Sequence, residues 1–238
     1  MTLPDITILI SGYNRPVQLQ QTIDALRRYL CYLGGNLHWL YGDDSSPDDA
    51  VRAVCEREGI RTVSTPGNSG WGANMNNGLA AVETDYVFWL PDHVFLMKPL
   101  DLRLGIAVME QDQTLGLLRY SGTFDGAYAM LGNVDARPYA PNYGGHIHRP
   151  GRVYYWTLHP DTFYLYCDWP HLKRRRFHQW HGFYEEGASI HDTEYGFSRR
   201  VTTHLQEKPD MGRIAIMADW VDWYWEHSQP FSFQKVEG

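Results

Sequence analysis

Along the first hundred residues, short apolar runs alternate with stretches of helical period. Ile6–Ser11 is a β-branched run and predicts a buried strand. Gly12–Pro16 predicts a turn, with Asn14 and Pro16 suited to opening a helix on which Leu19, Ile23, Leu26 and Leu30 recur at helical spacing. Leu37–Tyr41 reads as a second strand, followed by the polar loop Gly42-Asp43-Asp44-Ser45-Ser46-Pro47. A helix over Asp48–Arg57 and a third strand over Ile60–Ser64 follow. After the glycine-bearing loop Thr65–Gly70 come a helix over Ala73–Val82 and a fourth strand, Tyr86–Leu90, ending at Pro91-Asp92-His93. This rhythm predicts a parallel α/β sheet with right-handed crossovers. Polar loops follow the strands at their carboxyl ends, where open α/β sheets bind ligands.

The second half is less regular. Leu115–Tyr120 predicts a strand, and residues 122–151, rich in Gly, Pro, Tyr and Asn, predict a long functional excursion. Arg152–Leu158 alternates like a strand. Pro160–Arg176 is expected to be a helix, with Lys173-Arg174-Arg175-Arg176 near its end. There the charges either complement the helix C-terminus or contact phosphate. Residues 189–206 predict another helix, and the tail from Met217 to Phe233 is rich in Trp. With no repeat and no linker, residues 1–238 are expected to form a single domain.

Composition narrows the chemistry. Lys and Arg total 21 against 28 Asp and Glu, a net charge of -7. That disfavours general electrostatic binding to nucleic acid or an anionic membrane, while a local basic patch stays open. Cys31, Cys55 and Cys167 are isolated and suit a reducing cytosol. The opening MTLPDITILISGYNRP has no signal-peptide pattern, and no apolar run reaches the ~20 residues of a membrane span. A cytoplasmic location is therefore expected. Nine Trp and sixteen Tyr serve first as core and rim filling. They are also the surface on which a sugar stacks, with Trp71, Trp156, Trp180, Trp220 and Trp223 as candidates.

Four early segments carry the candidate chemistry: ITILISGYNRP, LYGDDSSPDD, GNSGWGANMNNGLAAV and YVFWLPDHVFL. In this order and spacing they resemble the family-2 glycosyltransferases of the GT-A fold, inverting enzymes that use nucleotide-diphosphate sugars. The resemblance implies a Rossmann-like, mixed and mostly parallel sheet flanked by helices. It makes Ser11, Tyr13, Asn14, Arg15, Asp43, Asp44, Asn68, Gly70, Asn76 and Asp92 candidate donor-binding residues. The family's DxD-type triplet falls on Pro91-Asp92-His93. A late acidic motif falls on His191-Asp192-Thr193-Glu194, after Gly182-Phe183-Tyr184-Glu185 and before Arg199.

From the same resemblance, Asp192 is the expected base for the acceptor hydroxyl, and Asp43 is expected to face the nucleobase, while Asp44 suits turn capping as well as donor binding. Trp156, His191 and Glu194 are expected on the acceptor side. Residues 1–100 would form the nucleotide-sugar half and residues 101–238 the acceptor half. A UDP-sugar is the expected donor, and a carbohydrate or other hydroxyl the expected acceptor. The triplet departs from the family pattern at both ends and leaves three arrangements open. His93 is a metal ligand, Asp92 substitutes by a shift of one residue, or metal is dispensable. With Asp92, His93 and the late His227 as ligands, Mn²⁺ is expected in preference to Mg²⁺. Two rival readings remain. One is a nucleotide-sugar-binding module without catalysis. The other is an enzyme glycosylating a modified nucleobase, suggested by Lys173–Arg176 beside Phe177, His178 and Trp180.

Overall fold

The computed structural model describes residues 2–120, 147–148, 155–157, 165–217 and 223–225. The first half follows the expected alternation. β1 (Ile6–Gly12), α1 (Pro16–Tyr29), the short β2 (Leu30–Cys31), β3 (Leu37–Asp43), α2 (Ala50–Glu58), β4 (Arg61–Ser64), α3 (Trp71–Ala80) and β5 (Tyr86–Pro91) succeed one another. Pro16 occupies the first turn of α1, where its missing N–H costs nothing. Gly59 closes α2 in the left-handed conformation, with φ of 66°.

Next come β6 (Val94–Leu96), β7 (Leu100–Asp101), α4 (Leu102–Gln111) and β8 (Leu115–Arg119). They are followed by β9 (Ile147–His148), β10 (Tyr155–Thr157), β11 (His171–Arg174), α5 (Phe177–His181), α6 (Ile190–Glu207), β12 (Arg213–Met217) and β13 (Trp223–Trp225). The excursion expected over 122–151 lies outside the described residues, apart from β9.

The main sheet has the order β4-β3-β1-β5-β11-β8-β12-β10-β9. Its first four strands are all parallel. β11 then enters antiparallel to both β5 and β8, and β12 runs parallel to β8. β6 pairs with β13, and β2 with β7.

Alternation along the strands divides the core. Ile6, Ile8 and Ile10 pack with α1, α2 and α4 on one face. Leu9, Val87 and Trp89 pack with α3, α5 and α6 on the other. The result is a three-layer α/β/α unit. No helix among the described residues is long and apolar enough to cross a membrane.

One expected element is corrected. Residues 171–174, assigned above to a helix over Pro160–Arg176, form the central strand β11. Lys173 and Arg174 are buried there, not displayed on a helix end. Arg174 donates to the Tyr86 hydroxyl at 2.6 Å, to Leu115 O at 3.0 Å and to Met109 O. Polar partners on both neighbouring strands therefore accommodate a basic segment whose composition hides its strand character.

Candidate active site

The carboxyl ends of β1, β3, β4 and β5 form one rim. Strand order reverses beside β1, which has β3 on one side and β5 on the other. Such a switch point leaves space outside the strand ends for a ligand. Three contacts lock the rim together. Asp44 N–H donates to Gly12 O at 3.1 Å, Asp92 N–H to Ser11 O at 3.0 Å and Thr65 N–H to Asp43 O at 3.1 Å. Asn74, on α3, spans the ends of β1 and β3 by donating to Gly12 O at 3.3 Å and Gly42 O at 3.1 Å. It was not anticipated from sequence, because one Asn among several on a helix carries no distinguishing signal.

The paired aspartates divide their work. Asp44 is buried and accepts from Ser69 N–H and Gly70 N–H, each at 2.9 Å, and from Thr65 Oγ1 at 2.8 Å. It is the post around which the 65–70 loop is wound, the turn-holding role that stood beside donor binding as its other reading. Asp43 accepts from Ser46 N–H at 3.1 Å and from Ser46 Oγ at 2.5 Å. Ser46 Oγ in turn accepts from Asn14 N–H at 2.8 Å. Asn14 and Ser45 hold positive φ angles of 52° and 59°, which draw the two turns together. Tyr13, Asn14 and Asn68 are exposed at this rim, and Arg15 is half-buried.

Ser11 and Asn76, both expected at the donor, turn elsewhere. Ser11 Oγ accepts from Trp89 Nε1 at 2.9 Å within the core, because alternation along β1 points it inward. Asn76 donates to Tyr184 O at 3.0 Å and accepts from Tyr184 N–H at 3.0 Å, so it pins the 184–186 turn.

Asp92 has no exposed surface. Its Oδ1 lies 3.2 Å from Arg15 Nη1, and its Oδ2 accepts from the Tyr41 hydroxyl at 3.3 Å. Burial, with Asp92 and Asp43 nearby, holds the Tyr41 phenol well above its ordinary range. A Cβ on Gly12 would stand 1.8 Å from Asp92 Oδ2, so the carboxylate fills the space that glycine leaves. His93 Nδ1 lies 3.1 Å from the same Arg15 Nη1.

The expectation that Asp92 and His93 ligate a divalent ion does not fit this arrangement. The carboxylate is turned inward and already paired with a guanidinium, whereas a hard cation needs several open oxygens. Among the described residues no three of His, Cys, Asp and Glu group as metal ligands. His227 lies outside the described residues.

The other side of the site is the start of α6. Ser189 is its N-cap: Ser189 Oγ accepts from Asp192 N–H at 3.1 Å and donates to Asp192 Oδ2 at 2.7 Å. Asp192 and His191 are exposed, and the His191 ring stacks on Tyr195. Two contacts pin this turn beside the rim. A Cβ on Gly72, at the start of α3, would meet Glu185 O at 2.1 Å and Thr193 Cγ2 at 3.2 Å. Glu194 Oε1 accepts from Asp168 N–H at 2.8 Å, just before β11, whose His171 pairs with Trp89 of β5. Glu194, expected to meet the acceptor, is therefore buried and turned towards Asp168. Burial and the neighbouring Glu194 push the Asp168 carboxyl upward.

Behind this turn, Lys173 is fully buried, with Nζ 3.4 Å from the Tyr184 hydroxyl and 5.6 Å from the centre of its ring. Burial pulls the ammonium down to about 7. Trp71 is edge-on to Trp89 and Tyr184, and Trp180 lies under Arg176, so both have ring partners within the fold. The side chains of Trp156 and Trp223, and all of Trp220, lie outside the described residues.

A family model described as Glycosyl transferase family 2 matches residues 7–143, more than half of the chain. Among solved structures, TarS residues 1–349 from S. aureus aligns over 92% of this chain and 60% of that one, with 13% identity and a TM-score of 0.62. The same protein in complex with UDP-GlcNAc aligns at a TM-score of 0.59 and 14% identity, over 92% and 58% of the two chains. Glucosyl-3-phosphoglycerate synthase from Mycobacterium tuberculosis, solved with Mn²⁺, UDP and phosphoglyceric acid, aligns over 90% of this chain and 68% of that one. Its TM-score is 0.57 and its identity 16%. The chain thus spans about 60% of the TarS fragment's length. No curated protein matches significantly by sequence.

Proposed function

The chain belongs to glycosyl transferase family 2 and has its GT-A-like fold, and on that premise we propose that it transfers a sugar from a UDP-sugar to an acceptor hydroxyl with inversion. The observation that carries this reading is the exposed Asp192 carboxylate on a turn whose Glu185, Thr193 and Glu194 are held against the start of α3 and Asp168. Asp192 takes the proton of the acceptor hydroxyl as its oxygen attacks the anomeric carbon. The bond from that carbon to the diphosphate breaks, and UDP leaves with the electron pair. One displacement inverts the anomeric centre. Ser189, donating to Oδ2, keeps the other carboxylate oxygen available for the proton.

In this reading residues 1–100 bind the nucleotide, with Asp43 and the exposed Tyr13 and Asn14 around the base. Residues 101–238 bind the acceptor. The preference for Mn²⁺ rested on Asp92 and His93 as a ligand pair and is not carried forward. The nucleobase-modifying alternative keeps only part of its motive: Lys173 and Arg174 are buried, while Arg175 is exposed and Arg176 lies over Trp180.

The test is a thermal-shift screen of UDP-sugars, followed by the anomeric configuration of the product by NMR. A ligand that binds only the folded state raises the melting temperature with concentration. Stabilisation by UDP and a product of inverted configuration are expected. A chain indifferent to UDP, or a retained anomer, overturns the reading.

A further inference from the structure

The Asp92–Arg15 pair has a direction. The carboxylate is wholly buried, whereas 42% of the Arg15 side chain is exposed. The acid is also fixed by its own backbone, since Asp92 N–H donates to Ser11 O at 3.0 Å and Asp92 O accepts from Thr22 Oγ1 at 2.9 Å. With Tyr41 donating to Oδ2 and Gly12 making room for it, the acid is aimed under β1 and away from the rim. Among the described residues, the side-chain polar contacts of Arg15, to Asp92 and His93, run through Nη1. A guanidinium carries five donors in a fixed fork, so most of its capacity remains for a ligand.

We propose that Arg15, anchored on Asp92, binds the diphosphate of the donor, and that nucleotide binding in this protein needs no divalent cation. The inference rests on the UDP-sugar reading and deepens it. An acidic triplet attracts a cation because its carboxylates face the ligand. Here the triplet has Pro91 first and His93 last, its one carboxylate faces inward, and the outward charge is positive. A metal ion arriving at the rim meets a guanidinium, and reaches Asp92 only by displacing it. A guanidinium fork matches two phosphate oxygens directly. As the glycosyl bond breaks, the negative charge gained by UDP falls on oxygens that Arg15 can hold, while the acceptor's proton goes to Asp192.

The experiment is calorimetric titration of UDP, and of uridine as the phosphate-free probe, into the full chain in EDTA and in Mn²⁺. The parent is expected to bind UDP in EDTA within about threefold of its affinity in Mn²⁺. Arg15→Ala should weaken UDP by at least about tenfold, the worth of a hydrogen bond to a charged group, and leave uridine unchanged. Because that variant strands a buried carboxylate, the double variant Arg15→Ala/Asp92→Asn is measured beside it, with the same loss expected. UDP binding that requires Mn²⁺ overturns the inference and leaves the UDP-sugar reading intact. So does equal weakening of uridine and UDP in the double variant. If the parent binds neither probe in either buffer, the UDP-sugar reading falls as well.

Discussion

On the strand side of the site, Asp43, Asp44 and Asp92 each accept from close donors, and all three are buried. On the helix side, Asp192 is exposed with one hydroxyl donating to it, while Glu194 and Lys173 are buried behind it and Asp168 is half-buried. Asp44, held by three donors of one loop, is scaffold, because moving it breaks several bonds. A carboxylate held by one oxygen can take a proton without loss of structure. Chemistry and pH sensitivity are thus concentrated on the helix side, and mechanical order on the strand side.

The sharpest separation of the two sides is Asp192→Asn. Transfer should fall by about 10² to 10⁴, the usual worth of a general base, while urea unfolding is unchanged. Parental turnover would remove Asp192 as the base. Next in size, Asp44→Ala should cost about 2 kcal/mol of stability, since it removes the acceptor from two half-buried backbone N–H groups of the loop, while the Thr65 hydroxyl keeps Gly67 O. A chemical-denaturation midpoint unchanged from the parent would show that the loop stands without its post.

The pH dependence of the helix side follows from Lys173. Its folded value of about 7 lies below its ordinary 10.5. Between the two, the unfolded chain holds a proton that the folded chain lacks, so this group's contribution makes stability rise with pH across that window. Because the raised Asp168 carboxyl contributes with the opposite sign, the Lys173 part is read as the difference between parent and Lys173→Met, which should grow by about 2 kcal/mol in the parent's favour from pH 7 to 9. Equal slopes for parent and variant would locate the titration elsewhere. Smallest is Asp43→Ala, which should weaken UDP by about tenfold through the Asn14–Ser46 turn it supports. Unchanged affinity by calorimetry would confine Asp43 to the fold.

The parallel half was legible because Ile6–Gly12 and Tyr86–Pro91 are apolar runs followed by polar turns, and Pro16 and Gly59 punctuate the helices. β11 was not, because His171, Lys173 and Arg174 break every apolar template and find their partners only in the assembled sheet. At the site, the late motif placed Asp192 at the start of a helix, where it lies exposed. The inward turn of Glu194 was not legible, since whether a carboxylate faces ligand or core depends on the distant Asp168. The inward turn of Asp92 was hidden for the same reason: an aspartate at a strand end reads alike whether its donors come from a ligand or from the fold.

The place of β11 in the sheet also bears on how the protein is made. It lies between β5 and β8 yet emerges from the ribosome about eighty residues after β5 ends. At roughly 5–20 residues per second, that delay lasts on the order of 4–16 s. Throughout it Tyr86–Pro91, a strand buried along its whole length in the finished fold, presents an unpaired edge. The nascent chain is therefore most prone to misassembly late in translation, and its yield depends on how quickly synthesis reaches residue 171.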